Sequence, residues 1–147
     1  MAYHVSQERM EELALNELNT RGEKGGEICS MLTLEFVSCD VEAGELVLKH
    51  IVPPAAANPS GNLHGGIIAW LLDSTMGMLS RSYTGYEVTV TMDIHVNFLR
   101  AIRIGDEMIL KGHITHSGKQ IVNVCAEAYV NGRKCATADS IFYRIEK

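Results

Sequence analysis

The hydrophobic and polar positions along the chain form two helical patterns and six strand patterns. Strict alternation of apolar and polar residues indicates a strand, and apolar residues three and four positions apart indicate a helix. Ser6 is placed to cap the first helix, and Gly22, Gly25 and Gly26 are placed to end it. Pro53 cannot continue a central strand, so a loop begins there. The predicted order is a helix at 5–20, strands at 32–36 and 44–51, a helix at 64–82, and strands at 88–98, 108–115, 121–130 and 135–145.

The second helical segment, from His64 to about Ser82, is apolar on almost every side. Its hydrophobic residues are Ile67, Ile68, Trp70, Leu71, Leu72, Met76, Met78 and Leu79. A helix without a polar face is a buried helix, and this one would be roughly 25 Å long. Tight turns link the four strands after it, and Asn131-Gly132 is a strong hairpin signal. Antiparallel hairpins wrapped around one long hydrophobic helix give an α+β domain with the hotdog fold.

Residues 88–98 show the clearest alternation in the chain. The apolar set expected on one face is Val88, Val90, Met92, Ile94, Val96 and Phe98. The polar set, which includes Thr91 and Asp93, is expected on the other face. Thr91 should therefore point away from Val90 and Met92, toward solvent or toward another copy of the chain.

Length and composition fit one domain over residues 1–147, in which residues 1–25 form the N-terminal helix and a linker. The net charge of -5 argues against a nucleic-acid partner. No segment approaches the roughly 18 apolar residues of a membrane span. The acidic, amphipathic N-terminus is unlike a signal peptide, so we expect a cytoplasmic protein with reduced cysteines. The four cysteines lack CxxC spacing, and His113 and His116 would face opposite sides of a strand, so no metal site is predicted.

Gly65 and Gly66 open the apolar helix, where the first backbone N–H groups have no partner within the helix. Glycines there let a ligand approach the positive end of the helix dipole, and such N–H groups stabilise the oxyanion of an acyl-transfer transition state. The alternative is that the two glycines only make a tight bend. Asp73 lies in the middle of the same helix, where a lone buried carboxylate is usually paired or functional. The alternative is an Asp that caps a neighbouring strand.

His64 and Asn58 lie just before this helix. A lone His near a helix start is often a structural hydrogen-bonding residue, and it is equally placed to hold the loop. Asn58 has donors and acceptors, although an Asn at a loop tip is usually a turn former.

The spacing of Gly65 and Asp73 has a consequence for assembly. Eight residues of helix separate them by roughly 12 Å, so one thioester carbonyl cannot touch both. If both act on one substrate, they come from different subunits. Two such helices packed antiparallel about a twofold axis would form a homodimer with two equivalent sites, and a homotetramer is a further expectation.

The residues Asn58, Leu63-His64-Gly65-Gly66 and Asp73 resemble the signature of the PaaI-like and THEM-type hotdog acyl-CoA thioesterases, over most of the chain after about Gly25. The resemblance implies that the Gly65 N–H polarises the thioester carbonyl. It implies that Asp73 is the nucleophile or the general base. Asn58 and His64 would orient the loop and the nucleophile, and Thr91 stands where a Ser or Thr of this family helps to place the water.

The same resemblance places the nucleotide and phosphates of CoA near the surface. Gly66 at the helix start and the basic residues Arg100, Lys119 and Arg133 are therefore candidates for CoA contacts. Each basic residue is also consistent with a solvated surface charge.

The expected function is hydrolysis of an acyl-CoA thioester to a free carboxylic acid and CoA, with no cofactor apart from the CoA of the substrate. The alternative is a non-catalytic hotdog module that binds acyl-CoA as a sensor or scaffold, although such a module would be expected to lack Asp73. A hotdog dehydratase or hydratase would carry a different His and acid arrangement. The acyl group is not readable, because Trp70, Met76 and Met78 fit a buried core as well as a pocket.

Overall fold

The computed structural model describes residues 3–146 and contains three α-helices and six strands. The helices are α1 (Gln7–Lys24), α2 (Glu27–Met31) and α3 (Gly65–Thr84), and a short 3₁₀ helix spans Pro54–Ala56. The strands are β1 (Glu35–Asp40), β2 (Glu45–Ile51), β3 (Thr89–Phe98), β4 (Glu107–Ser117), β5 (Ile121–Val130) and β6 (Arg133–Arg144).

The strands form one sheet in the order β1-β2-β4-β5-β6-β3, with every neighbouring pair antiparallel. Helix α3 packs against β2, β3, β4, β5 and β6, and α1 packs on α3 and β1. The predicted α+β class and the hotdog arrangement of sheet and central helix are confirmed. Strand β3 lies at one edge of the sheet although it follows α3 directly, so the chain crosses from one side of the sheet to the other through this helix.

Helix α3 is buried along most of its length, as its apolar sequence predicts. Leu71, Leu72, Met76, Met78 and Leu79 are fully buried. The sheet makes room for the helix at Gly112 of β4, where an added Cβ would lie 3.0 Å from Cδ2 of Leu79. The absence of a side chain at this position allows the close approach of helix and sheet.

The N-terminal region differs from its prediction in length. Ser6 caps α1 as expected, accepting a hydrogen bond from the Arg9 N–H. The helix continues through Gly22 and ends at Gly25, so the prediction that Gly22 ends it is wrong. The short helix α2 was not predicted. The strand expected from residue 32 begins at Glu35, because Leu32 still closes α2, donating its N–H to the Ile28 carbonyl, and the first pairing with β2 is made at Glu35.

Strand β3 does not keep the single alternation that its sequence predicts. Thr91 pairs with Phe142 and Asp93 with Ile141, so Met92 is an extra residue that forms a β-bulge. Before the bulge, Thr89 and Thr91 face α3, whereas Val90 and Met92 are exposed.

After the bulge of β3, the even-numbered residues face inward. Ile94 and Val96 pack against the core, and the Phe98 ring lies beside Gly65. The expectation that Thr91 points away from the helix is therefore wrong, because one added residue reverses the faces.

The hairpin between β5 and β6 follows its sequence closely. Asn131 and Gly132 both have positive φ, at 50° and 74°. This is the pair of conformations that a two-residue type I′ turn requires.

Across the described residues, the helices fall short of the length and hydrophobicity that crossing a membrane requires. In the same part of the chain, no three His, Cys, Asp or Glu side chains are grouped so that they could hold a metal ion.

His50 on β2 is a buried titratable group, with only 2% of its surface exposed. Its Nδ1 lies 2.7 Å from the Thr33 carbonyl, which accepts the ring N–H, and its Nε2 is buried without a partner among residues 3–146. Burial lowers the pKa of His50 below its usual value, and the hydrogen bond to Thr33 only partly opposes this effect. The folded protein therefore holds His50 neutral.

We expect this histidine to make the protein less stable as the pH falls below about 6.5, the usual pKa of an unfolded histidine. The unfolded chain takes up a proton there that folded His50 resists, so the free energy of unfolding decreases by at most about 1.4 kcal/mol per pH unit from this group. Urea unfolding at several pH values between about 7.5 and 5, a range that spans this pKa, measures how the free energy of unfolding depends on pH. His50→Gln should flatten this dependence, and equal slopes for the two proteins would contradict the assignment.

Candidate active site

The first turn of α3 is closed by His64, which is the N-cap. The His64 Nδ1 accepts the Gly66 N–H at 3.0 Å, and the His64 carbonyl accepts the N–H groups of Ile67 and Ile68. The Gly65 N–H has no hydrogen-bond partner within residues 3–146. The start of α3 therefore presents one free donor, from Gly65, because His64 accepts the Gly66 N–H. A contact of Gly66 with CoA stays a prediction.

The loop before α3 is ordered by Asn58. Its Oδ1 accepts the N–H groups of Ser60 and Asn62 at 3.0 and 3.1 Å. The Asn58 N–H in turn donates to the Asn62 carbonyl at 2.7 Å. Asn58 thus holds the turn that leads into His64, which is the turn-forming role that its position in the loop favours.

Asp73 lies about two turns further along α3 than Gly65 and faces β3. Its Oδ1 accepts the Thr91 hydroxyl at 2.8 Å. Asp73 is half-buried rather than isolated in the core, because it lines a cavity between α1, α3 and the start of β3. The structure therefore brings Asp73 and Thr91 together. The hydroxyl holds one carboxylate oxygen, and Oδ2 accepts no hydrogen bond from the described residues.

The cavity has a volume of about 820 Å³. Glu17 of α1 and Arg81 of α3 form an ion pair across it, and the Arg81 Nη1 donates to the Thr89 hydroxyl at 3.2 Å. Arg21 of α1 reaches Ser74, the residue after Asp73. Apart from Asp73, none of these residues was predicted as a site residue from the sequence. One signal for them is present in the sequence. Arg81 is a charged residue near the end of an apolar helix, so it needs a counter-ion from another element that packs on α3.

A second cavity of about 590 Å³ brings together two of the predicted basic residues. Arg100 and Arg133 line it, together with Arg103, which was not among the predicted contacts. Arg103 also forms an isolated β-bridge with Asn62, so the cavity adjoins the loop before α3.

Lys119 is not part of this basic cluster. It lies in the turn before β5, whereas Arg133 follows the other end of β5. The Lys119 carbonyl accepts the Tyr86 hydroxyl at 2.6 Å. Burial raises the pKa of Tyr86 above its usual value, so the phenol remains a donor. Lys119 thus lies apart from Arg100 and Arg133, and its contact with CoA stays a prediction.

Comparisons with known proteins agree with the fold described above. The family model of the Thioesterase superfamily matches residues 60–137. Acyl-coenzyme A thioesterase 13 of Mus musculus is 29% identical over 77 residues, which are 52% of this chain and 55% of that protein. The chain spans about half the length of the curated relatives of this name that it matches.

Two solved structures share the fold. The smu.793 protein of Streptococcus mutans, bound to acetyl CoA, has a TM-score of 0.72 and 26% identity, over 78% of this chain and 90% of that one. The PaaI protein of Escherichia coli has a TM-score of 0.79 and 21% identity, over 93% of this chain and 96% of that one.

The role of His64 as a cap predicts a defined pattern of stabilities. His64→Ala removes the acceptor for the Gly66 N–H and should lower the free energy of unfolding by about 0.5–2 kcal/mol. His64→Asn restores a capping side chain and should recover most of the loss. Urea denaturation of the three proteins measures the effect, and equal stability of the Ala and Asn variants would show that His64 does not cap α3.

Proposed function

Because this chain belongs to the thioesterase superfamily, we propose that it hydrolyses an acyl-CoA thioester to a carboxylic acid and CoA. The observation that carries the proposal is the Asp73 carboxylate, held by the Thr91 hydroxyl at 2.8 Å in the wall of a large cavity. The binding of acetyl CoA by the structurally similar Streptococcus mutans protein supports the substrate class.

Asp73 has the free lone pairs that either route of hydrolysis requires. As general base, Oδ2 takes a proton from water while the water oxygen bonds to the thioester carbonyl carbon. The C–S bond then breaks, and the leaving CoA thiolate receives that proton. As nucleophile, Oδ2 itself bonds to the carbonyl carbon, the thiolate leaves, and water hydrolyses the resulting mixed anhydride. In both routes the Thr91 hydroxyl fixes the carboxylate by holding Oδ1.

The Gly65 N–H is the donor proposed for the thioester oxygen. It is unpaired within the described residues and lies at the positive end of the α3 dipole. A backbone donor aimed at an oxygen that gains negative charge lowers the barrier of acyl transfer. His64 and Asn58 support this donor indirectly, because one caps the helix and the other orders the loop before it.

A complete site needs two protomers. Gly65 and Asp73 lie on one straight helix about 12 Å apart, which is too far for both to touch one carbonyl. We infer a homodimer in which Gly65 of one chain faces Asp73 of the other. The position of β3 at the sheet edge, with Val90 and Met92 exposed, supports a contact there. Two such dimers would form the homotetramer.

The basic cavity supports the placement of the CoA phosphates. Arg100, Arg103 and Arg133 line one pocket, and each guanidinium is suited to bidentate binding of phosphate oxygens. The pocket adjoins the loop that leads to Gly65, so a CoA held there would extend toward the proposed carbonyl donor.

Asp73→Asn tests the proposed chemistry. The amide is a poor base and nucleophile, so kcat should fall by at least about 100-fold with unchanged folding and CoA binding. Circular dichroism and CoA titration are the controls. Undiminished kcat in the variant would refute the role of Asp73. A wild-type protein that binds acyl-CoA without hydrolysing any member of a broad panel would instead favour the sensor or scaffold function.

Mixed dimers test the shared site. One chain carries Asp73→Asn, and the other carries Gly65→Pro, which removes the donor N–H. Each homodimer should be nearly inactive, whereas the heterodimer combines both defects in one site and leaves the other intact. Activity should therefore recover to about half of the wild-type value, by the twofold arrangement of sites.

Proline is well suited to this test, because Gly65 is the first residue of α3 and His64 before it has ψ 132°. A Cβ at residue 65 would meet Phe98 at an ordinary contact distance of 3.5 Å. Melting curves verify that the Pro variant folds. A folded heterodimer without recovered activity would show that the two residues do not share a site across subunits.

A further inference from the structure

The cavity that Asp73 lines has a mixed wall, in which most of the side chains carry a polar atom. Among its lining side chains from residues 3–146, only Leu13 and Phe142 lack a polar or sulfur atom. Acyl pockets for alkyl or unsubstituted aryl groups are predominantly apolar, because burial of hydrocarbon provides the binding energy. An alkyl chain placed beside Asp73 would instead displace water from charged groups without replacing their hydrogen bonds.

Two basic side chains in this wall, Arg21 and Lys24, form no ion pair with any of residues 3–146, and of the two only Arg21 is half-buried. The Arg81 guanidinium is neutralised by Glu17, and Arg9 at the rim pairs with Glu12 at 2.8 Å. Arg21, on the same face of α1, forms no ion pair with any of residues 3–146. A half-buried arginine without a counter-ion is costly unless a ligand supplies the charge.

The Arg21 guanidinium is held in a fixed position. Its carbon lies 5.2 Å from the centroid of the Trp70 ring, within the range of a cation–π contact. Its Nη2 makes only a long contact of 3.4 Å to the Ser74 hydroxyl, and Nη1 makes no hydrogen bond to the described residues. Its Nε is buried without an acceptor. The terminal nitrogens are thus free for an acceptor in the cavity.

We propose that Arg21 binds a carboxylate at the far end of a short acyl chain, so that the substrates are CoA thioesters of dicarboxylic acids. This inference rests on the proposed thioester hydrolysis and specifies its substrate class. Arg21 contacts Ser74, the residue after Asp73, so the carboxylate would lie only a short chain length from the reacting carbonyl. Two parallel hydrogen bonds from Nη1 and Nη2 would satisfy the guanidinium and neutralise its charge.

The test compares acyl-CoA esters of equal carbon number, with and without the terminal carboxylate. Glutaryl-CoA is paired with pentanoyl-CoA, and adipyl-CoA with hexanoyl-CoA, after subtraction of hydrolysis without enzyme. The wild-type protein should prefer the better dicarboxylic ester over its partner by about tenfold or more in kcat/KM, as expected for a charge-assisted hydrogen-bonded pair.

Arg21→Gln should remove this preference while the kcat/KM for the matched monocarboxylic ester stays within about threefold of wild type, since Gln keeps polarity but loses the charge. The matched control is Arg9→Gln, which removes the same charge from the same helix at an exposed position and should leave the preference intact. Urea denaturation of both variants verifies that they remain folded.

The outcomes separate this inference from the proposed function. Hydrolysis of the monocarboxylic esters with equal or higher kcat/KM would overturn the role of Arg21 and leave the thioesterase assignment standing. An equal loss for both classes of ester in Arg21→Gln would also overturn it, because that result indicates an effect on Asp73 or on the fold. No hydrolysis of any ester by the wild-type protein would refute the proposed function and this inference together.

Discussion

Helix α3 buries apolar side chains on nearly every side, so it must be covered from two directions. The curved antiparallel sheet covers one side, and α1 covers the other. Burial of these side chains is a large favourable term in folding, and few polar groups along the helix are compatible with it. Three of them pair with side chains of other elements: Ser80 with Thr89, Arg81 with Glu17, and Asp73 with Thr91. The candidate site thus lies where the sheet and α1, which cover α3 from two sides, come together.

The pairing of Asp73 with Thr91 depends on backbone geometry at some distance from both residues. Thr91 faces α3 because β3 holds its register with β6 up to the bulge at Met92. The same strand then changes phase and brings Phe98 against Gly65 at the other end of the helix. One strand therefore contacts both groups proposed for catalysis, although they lie about 12 Å apart along α3.

Local signals in the sequence predicted much of this structure. Ser6 at the start of α1, the apolar run after His64 and the Asn131-Gly132 turn each indicate their conformation within a few residues. The features that were missed depend on distant contacts. A bulge is invisible to a two-residue period, so the face of Thr91 was predicted wrongly. Arg21 was overlooked because an arginine on an amphipathic helix resembles a solvated charge until α3 places Trp70 and Ser74 beside it.

Met92 illustrates how a residue can matter by its presence rather than by its chemistry. Its side chain is 60% exposed, so many side chains would be accommodated there. Its backbone, however, is the one extra unit that lets Thr91 and Ile94 face the same way. Loss of that unit would turn Ile94 and Val96, which pack against the core, toward solvent and direct Asp93, His95 and Asn97 toward the core. At residue 92 the fold therefore tolerates a substitution far better than a deletion.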